Sequence, residues 1–175
     1  LVDTLSQKSF DLANECLEAS EEVFSRVERP DRKSFLSLGE LLARSNWRDV
    51  KPYMENGARV LTRLDKSQRS RFLMLAEEIA RAPGVNVVSF LMDGATALGE
   101  IDPASHARTL GMAERLAACS AGAVGDFLRS APQVLNRINE EQLDRWFEQG
   151  LGILQENEDG GLAFFRLESS RAERA

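Results

Sequence analysis

One histidine, His106, is the only imidazole in the chain, so any Ser-His-Asp or Cys-His nucleophile system would have to use it. It lies beside Pro103, close to a helix start, and the positions that correspond to it elsewhere are Arg32 and Arg69. That setting predicts a solvated surface side chain. Zinc needs several Cys or His ligands. Here Cys16 and Cys119 stand far apart with no CxxC spacing, on apolar helix faces that predict buried, reduced thiols. Gly122-Ala-Val-Gly125 lacks the lysine and the preceding strand of a phosphate loop, and Asp159-Gly160-Gly161 is too poor in carboxylates for a calcium loop. The residues predict no catalytic, cofactor-binding or metal constellation, and the chain reads as non-enzymatic.

The polar pattern that does repeat is acidic. Glu40, Glu77 and Glu114 each follow a small residue: Gly39, Ala76 and Ala113. They could form a carboxylate ladder for a partner's basic groups. Alternatively they pair locally, since Arg44 and Arg81 lie four residues on, the favourable order for an ion pair within a helix. Arg81 and Arg115 are further candidate contacts on the same helices. Trp47, at a helix start, and Trp146, beside Phe147, are either core side chains or interface anchors. Arg26, Arg63 and Arg137 share a column that Glu100 interrupts; with a net charge of −6 this opposes a nucleic-acid partner.

These residues are positioned by a period of 37. Leu17, Met54, Leu91 and Leu128 share a register, as do Phe24, Leu61, Leu98 and Leu135, and Leu36, Leu73, Leu110 and Phe147. Val27, Leu64, Ile101 and Ile138 form another apolar column, and Leu42, Ile79, Leu116 and Ile153 a further one. Tyr53, Phe90, Phe127 and Phe164 align too, and Ser20, Gly57, Gly94 and Ala131 form a small-residue column. Glycine inside a helix costs about 1 kcal/mol relative to alanine, so its recurrence predicts close helix approach. Within each period, apolar residues recur at three- and four-residue steps over two stretches, separated by capping residues. Asp65 is followed by Gln68, Asn139 by Gln142, and Asp102 by a proline at the first helical position. Pro83-Gly84 predicts a break, and Asn157 to Gly161 a polar turn.

The predicted fold is therefore all-α: a right-handed array of helical hairpins, a HEAT/armadillo-like α-solenoid with a 37-residue repeat. Residues 1–170 make a single domain of between four and five units, with a frayed polar tail over 171–175. Second helices, over about 31–44, 67–82, 104–118 and 140–155, are expected to line one curved face. No apolar run approaches membrane-spanning length and no signal-peptide pattern opens the chain, which with reduced thiols predicts a cytoplasmic protein. Starting at Leu1, the chain reads as a fragment of something longer.

The stretch from Trp146 to Ser170, "WFEQGLGILQENEDGGLAFFRLESS", preceded by "VVSFLMDGATALGEID" and "VGDFLRSAPQVLNRI", resembles the helical region ahead of the von Willebrand A domain in bacterial activator proteins. Those are the nitric-oxide-reductase activation (NorD-type) and Rubisco-activation (CbbO-type) proteins. The resemblance implies an adaptor that links a hexameric MoxR-type AAA+ ATPase to a client enzyme. The family's metal-dependent adhesion signature, Asp-x-Ser-x-Ser, is absent; Asp3-Thr-Leu-Ser6 has the wrong spacing, so no metal residues carry over. The expected function is a protein-binding scaffold, with a free-standing HEAT-like nucleic-acid-binding module as the alternative.

Overall fold

A computed structural model describes residues 1–82 and 85–172, with the backbone alone at 140 and 167–172. Ten helices are described: α1 (Val2–Ser6), α2 (Phe10–Arg26), α3 (Arg29–Ser45), α4 (Val50–Leu61), α5 (Lys66–Arg81), α6 (Val87–Glu100), α7 (His106–Ala117), α8 (Ala121–Leu135), α9 (Glu140–Glu156) and α10 (Glu158–Ala172). Short 3-10 turns, Trp47–Asp49 and Pro103–Ser105, lead into α4 and α7. The described residues hold no strand, so the fold is all-helical. The Pro83-Gly84 break and the last three residues of the expected polar tail lie outside the described residues.

Helix starts follow the capping chemistry. The Asp65 side chain accepts the Gln68 backbone N–H at 2.9 Å while the Gln68 amide accepts from the Asp65 N–H, a reciprocal box that satisfies two orphan donors. Asn139 and Gln142 build the same box at the start of α9. Between them, Asp102 accepts from the Ala104 N–H at 2.9 Å with Pro103 at the first helical position. Glu28 occupies the corresponding place before α3 without a side-chain cap.

The backbone falls into two compact units, Leu1–Ala95 and Thr96–Ala175. In the first, α1 packs against α2 and α3, α2 against α4, and α3 against α4 and α5. Phe35 and Tyr53 stack with ring centroids 4.7 Å apart, and the buried Tyr53 hydroxyl donates to the Phe35 carbonyl at 2.7 Å. Burial holds that phenol well above its usual pKa. At Gly57 the close approach is present: a Cβ there would stand 3.0 Å from the Phe35 ring. Phe72 and Phe90 stack at 5.3 Å, each ring one period on from the first pair.

In the second unit α7 packs against α8, and α10 against α8 and α9. Its core is aromatic: Phe127, Phe147 and Phe165 are fully buried, with Trp146 and Phe164 at their flank. The expected polar turn before the last helix is shorter than the sequence predicts. Asn157 caps α10 by accepting the Gly160 N–H at 3.2 Å, and both glycines lie inside the helix. They are helical because α10 crosses α9 there: a Cβ on Gly161 would sit 2.5 Å from the Leu154 backbone. Asp126, on the buried side of α8, binds Arg166 of α10 at 2.7 Å and also Arg129, which ties the two helices together.

Candidate interaction surface

The acidic column is engaged mainly within the chain. The Glu40 carboxylate is half-buried and takes the amino terminus of Leu1 at 2.6 Å, the Thr4 hydroxyl at 2.5 Å and Arg44 at 3.1 Å. The amino terminus and then Thr4 hold its pKa down to about 2. Glu77 pairs with Arg81 in its own helix. Glu114 is half-buried on α7. Arg115 reaches from α7 to α9, where it grips both carboxylate oxygens of Glu148 at 2.6 and 3.0 Å and lies 5.0 Å from the Phe147 ring centre. That fork lowers the Glu148 pKa and raises that of Arg115.

The tryptophans divide. Trp47 is half-buried in its 3-10 turn with the Arg48 guanidinium 5.0 Å from its ring. Trp146 belongs to the aromatic core, 5.4 Å from Phe165 and 5.9 Å from Phe164, and its indole N–H is buried without a hydrogen-bond partner. Glu40, Trp47, Glu77 and Arg81 lie in the first compact unit; Glu114, Arg115 and Trp146 lie in the second.

His106 corrects the expectation of a surface side chain. It is 2% exposed, and its Nε2–H donates to the Leu98 carbonyl at 3.1 Å. The reason is a latch that its column shares. Arg32 Nε donates to the Val27 carbonyl at 2.9 Å and an Arg32 terminal nitrogen to Phe24 at 2.6 Å. One period on, Arg69 Nε donates to both Leu61 and Leu64 at 3.0 Å. Each donor thus reaches back five or eight residues to carbonyls that a helix end leaves orphaned. Two arginines and a histidine in one column carried the signal, which reads as a solvated face unless each polar head is asked which carbonyl it can reach.

Arg69 does more. Only 14% exposed, it also pairs with Glu28 and stands 3.7 Å from the buried carboxylate of Asp31, so it clamps the first turn of α3 to the end of α4. In the basic column, Arg26 pairs with Glu22 and Arg63 donates to the Ala95 carbonyl, while Arg137 is exposed. Cys16 is buried, its thiol pKa raised first by that burial. Cys119 is exposed in the turn between α7 and α8, unlike its expected burial, because its position follows the last packed turn of α7.

Two open grooves mark the first unit. One of about 190 Å3 runs between α2 and α4 past Glu22, Arg26, Glu55 and Arg59. The other, of about 280 Å3, is bordered by Leu42, Asn46, Asp49 and Val87. Among the described residues no group of three His, Cys, Asp or Glu side chains could hold a metal ion, and no helix is long and apolar enough to cross a membrane. No protein-family model, curated protein or solved structure matches the chain.

Proposed function

We propose that the chain is a non-enzymatic, protein-binding scaffold built from 37-residue helical hairpins of the HEAT/armadillo-like kind. The observation that carries this reading is the latch column. Arg32, Arg69 and His106 stand one period apart and each closes onto the carbonyl eight residues before it. The stacked pairs Phe35–Tyr53 and Phe72–Phe90, again one period apart, and Trp146 against Phe164 two periods further on, support the same module. Stacked modules of this kind work by presenting an extended surface. The single histidine is occupied by a backbone carbonyl, which also favours a scaffold over an enzyme.

The scaffold acts as an adaptor in the cytoplasm, linking a MoxR-type AAA+ ATPase to a client enzyme. The resemblance of the Trp146–Ser170 region to the activator proteins supports that role. Contact is made through charged groups on the second helices. Glu77, Arg81, Arg115 and Glu148 keep between 42% and 63% of their side-chain surface open, so their local pairs can exchange for intermolecular ones.

Isothermal titration of the purified chain into a MoxR-type hexamer with bound ATP tests this. We expect saturable binding that weakens with salt, and a loss of roughly tenfold in the doubly reversed variant Arg81→Glu, Arg115→Glu, chiefly in association rate. Absence of binding at roughly 100 µM of each component contradicts the adaptor reading.

A further inference from the structure

The larger groove of the first unit carries acceptors without donors. Its volume of about 280 Å3 falls just below the roughly 300 Å3 at which small-molecule sites begin, so it has room for one side chain. Apolar Leu42, Ala80 and Val87 line it together with polar Ser45, Asn46 and Asp49. The Asn46 amide donates to Asp49 Oδ2 at 2.8 Å, and the Ser45 hydroxyl donates to the Leu41 carbonyl at 3.0 Å. Asp49 Oδ1, the Asn46 side-chain carbonyl and the Ser45 oxygen accept nothing among the described residues. Asp49 is half-buried and pairs with no cation among those residues.

Charge says what fits there. The groove lies at the C-terminal ends of α3 and α5, the negative poles of their dipoles. The positive start of α6 is already capped by Asn86, which accepts the Val88 and Ser89 N–H groups, and the start of α4 carries Asp49 itself. A cation is therefore favoured. An ammonium brings three donors to these oxygens, whereas Asn46 already occupies one Asp49 oxygen and so weakens a bidentate guanidinium fork. We propose that this groove receives one lysine side chain of a partner protein. Asp49, Asn46 and Ser45 hold the ammonium, and the methylene stem lies along Leu42, Ala80 and Val87. The acceptor set is particular to this turn. Two periods on, in the second unit, its places are taken by Cys119, Ser120 and Ala123, and the Ser120 hydroxyl donates to Glu158 at 2.6 Å. There the chain supplies its own polar partner. The inference rests on the scaffold reading, which makes the amine a protein's, and not on the identity of the ATPase.

The probe is Nα-acetyl-lysine methylamide, titrated into the isotopically labelled full chain and followed by amide NMR shifts. One ion pair and a short apolar stem give an expected dissociation constant of roughly 5 mM. Shifts should centre on Ser45, Asn46, Asp49 and Val87. The Nε-acetylated twin, which lacks the charge, should produce none. Asp49→Asn should weaken binding at least about fivefold. Ser45→Ala serves if that variant misfolds, with an expected loss of about twofold. No shift at these amides, or equal shifts from the acetylated twin, overturns the lysine site. Tighter binding of n-butylammonium than of the lysine derivative assigns the groove to a free amine and overturns the protein partner. The ATPase titration is a separate readout: its failure removes the adaptor and leaves the lysine shifts in place, while absent lysine shifts leave ATPase binding standing.

Discussion

Gly161→Ala is expected to destabilise the second compact unit by at least about 3 kcal/mol, since overpacking where two backbones meet leaves no side chain to yield. The new Cβ would stand 2.5 Å from Leu154 Cα and 2.6 Å from Leu154 Cβ, so α9 and α10 would have to separate. Separation would loosen what the crossing holds: Phe165, buried among Phe127, Phe147 and Trp146, and the Arg166–Asp126 ion pair. Gly150, on the facing helix, is tight against a different neighbour. A Cβ there would meet the Phe165 and Phe164 rings at 2.6 and 2.8 Å, and rings can turn aside at smaller cost. Gly152 provides the internal control. It lies in the interior of α9 with nothing within 4 Å of its would-be Cβ, so Gly152→Ala should stabilise by about 1 kcal/mol through helix propensity alone. Urea denaturation of the two variants checks both signs. A Gly161→Ala loss below about 1 kcal/mol would mean the helices do not cross where Gly161 and Leu154 meet.

Arg69→Ala should cost about 3 kcal/mol, the scale for removing a mostly buried cation that serves two carbonyls and stands beside the buried Asp31 carboxylate. Three groups lose their donor together: the Leu61 and Leu64 carbonyls, and the Glu28 carboxylate, with Asp31 only 7% exposed beside them. The comparison is Arg44→Ala, whose side chain is 72% exposed and pairs with Glu40. An exposed pair of that kind contributes well under about 1 kcal/mol. Thermal unfolding of both variants should therefore show a large shift for Arg69 and a small one for Arg44. Equal shifts would mean that Arg69 is a surface cation and not a clamp.

Helix identity and the capping residues were legible in the sequence because both depend on local spacing. Asp65–Gln68 and Asn139–Gln142 sit in the capping boxes that their three-residue separation predicts, and Gly57 lies under the Phe35 ring as a small-residue column suggests. Local pairing of Glu40 with Arg44 and of Glu77 with Arg81 also follows from four-residue spacing. What escaped depends on long-range placement. Gly160-Gly161 reads as a chain break by composition, yet the crossing with Leu154 keeps it helical. His106 reads as surface, since nothing local shows that the Leu98 carbonyl lies within reach. Leu17 and Leu36 read as core, because a column records which face a residue occupies and not whether anything covers it.

The central claim is that one 37-residue module builds the chain. Excising residues 66–102, one full period, tests it most directly. The cut joins Asp65 to Pro103, placing a helix-capping aspartate before the same proline that Asp102 precedes in the intact chain. If the module is real, every column closes in register across the junction. The shortened protein should then remain helical and unfold in a single cooperative transition by circular dichroism, at a somewhat lower temperature than the intact chain. A shortened chain without a cooperative transition, behaving no better than one cut out of register by removing ten fewer residues, would contradict the account.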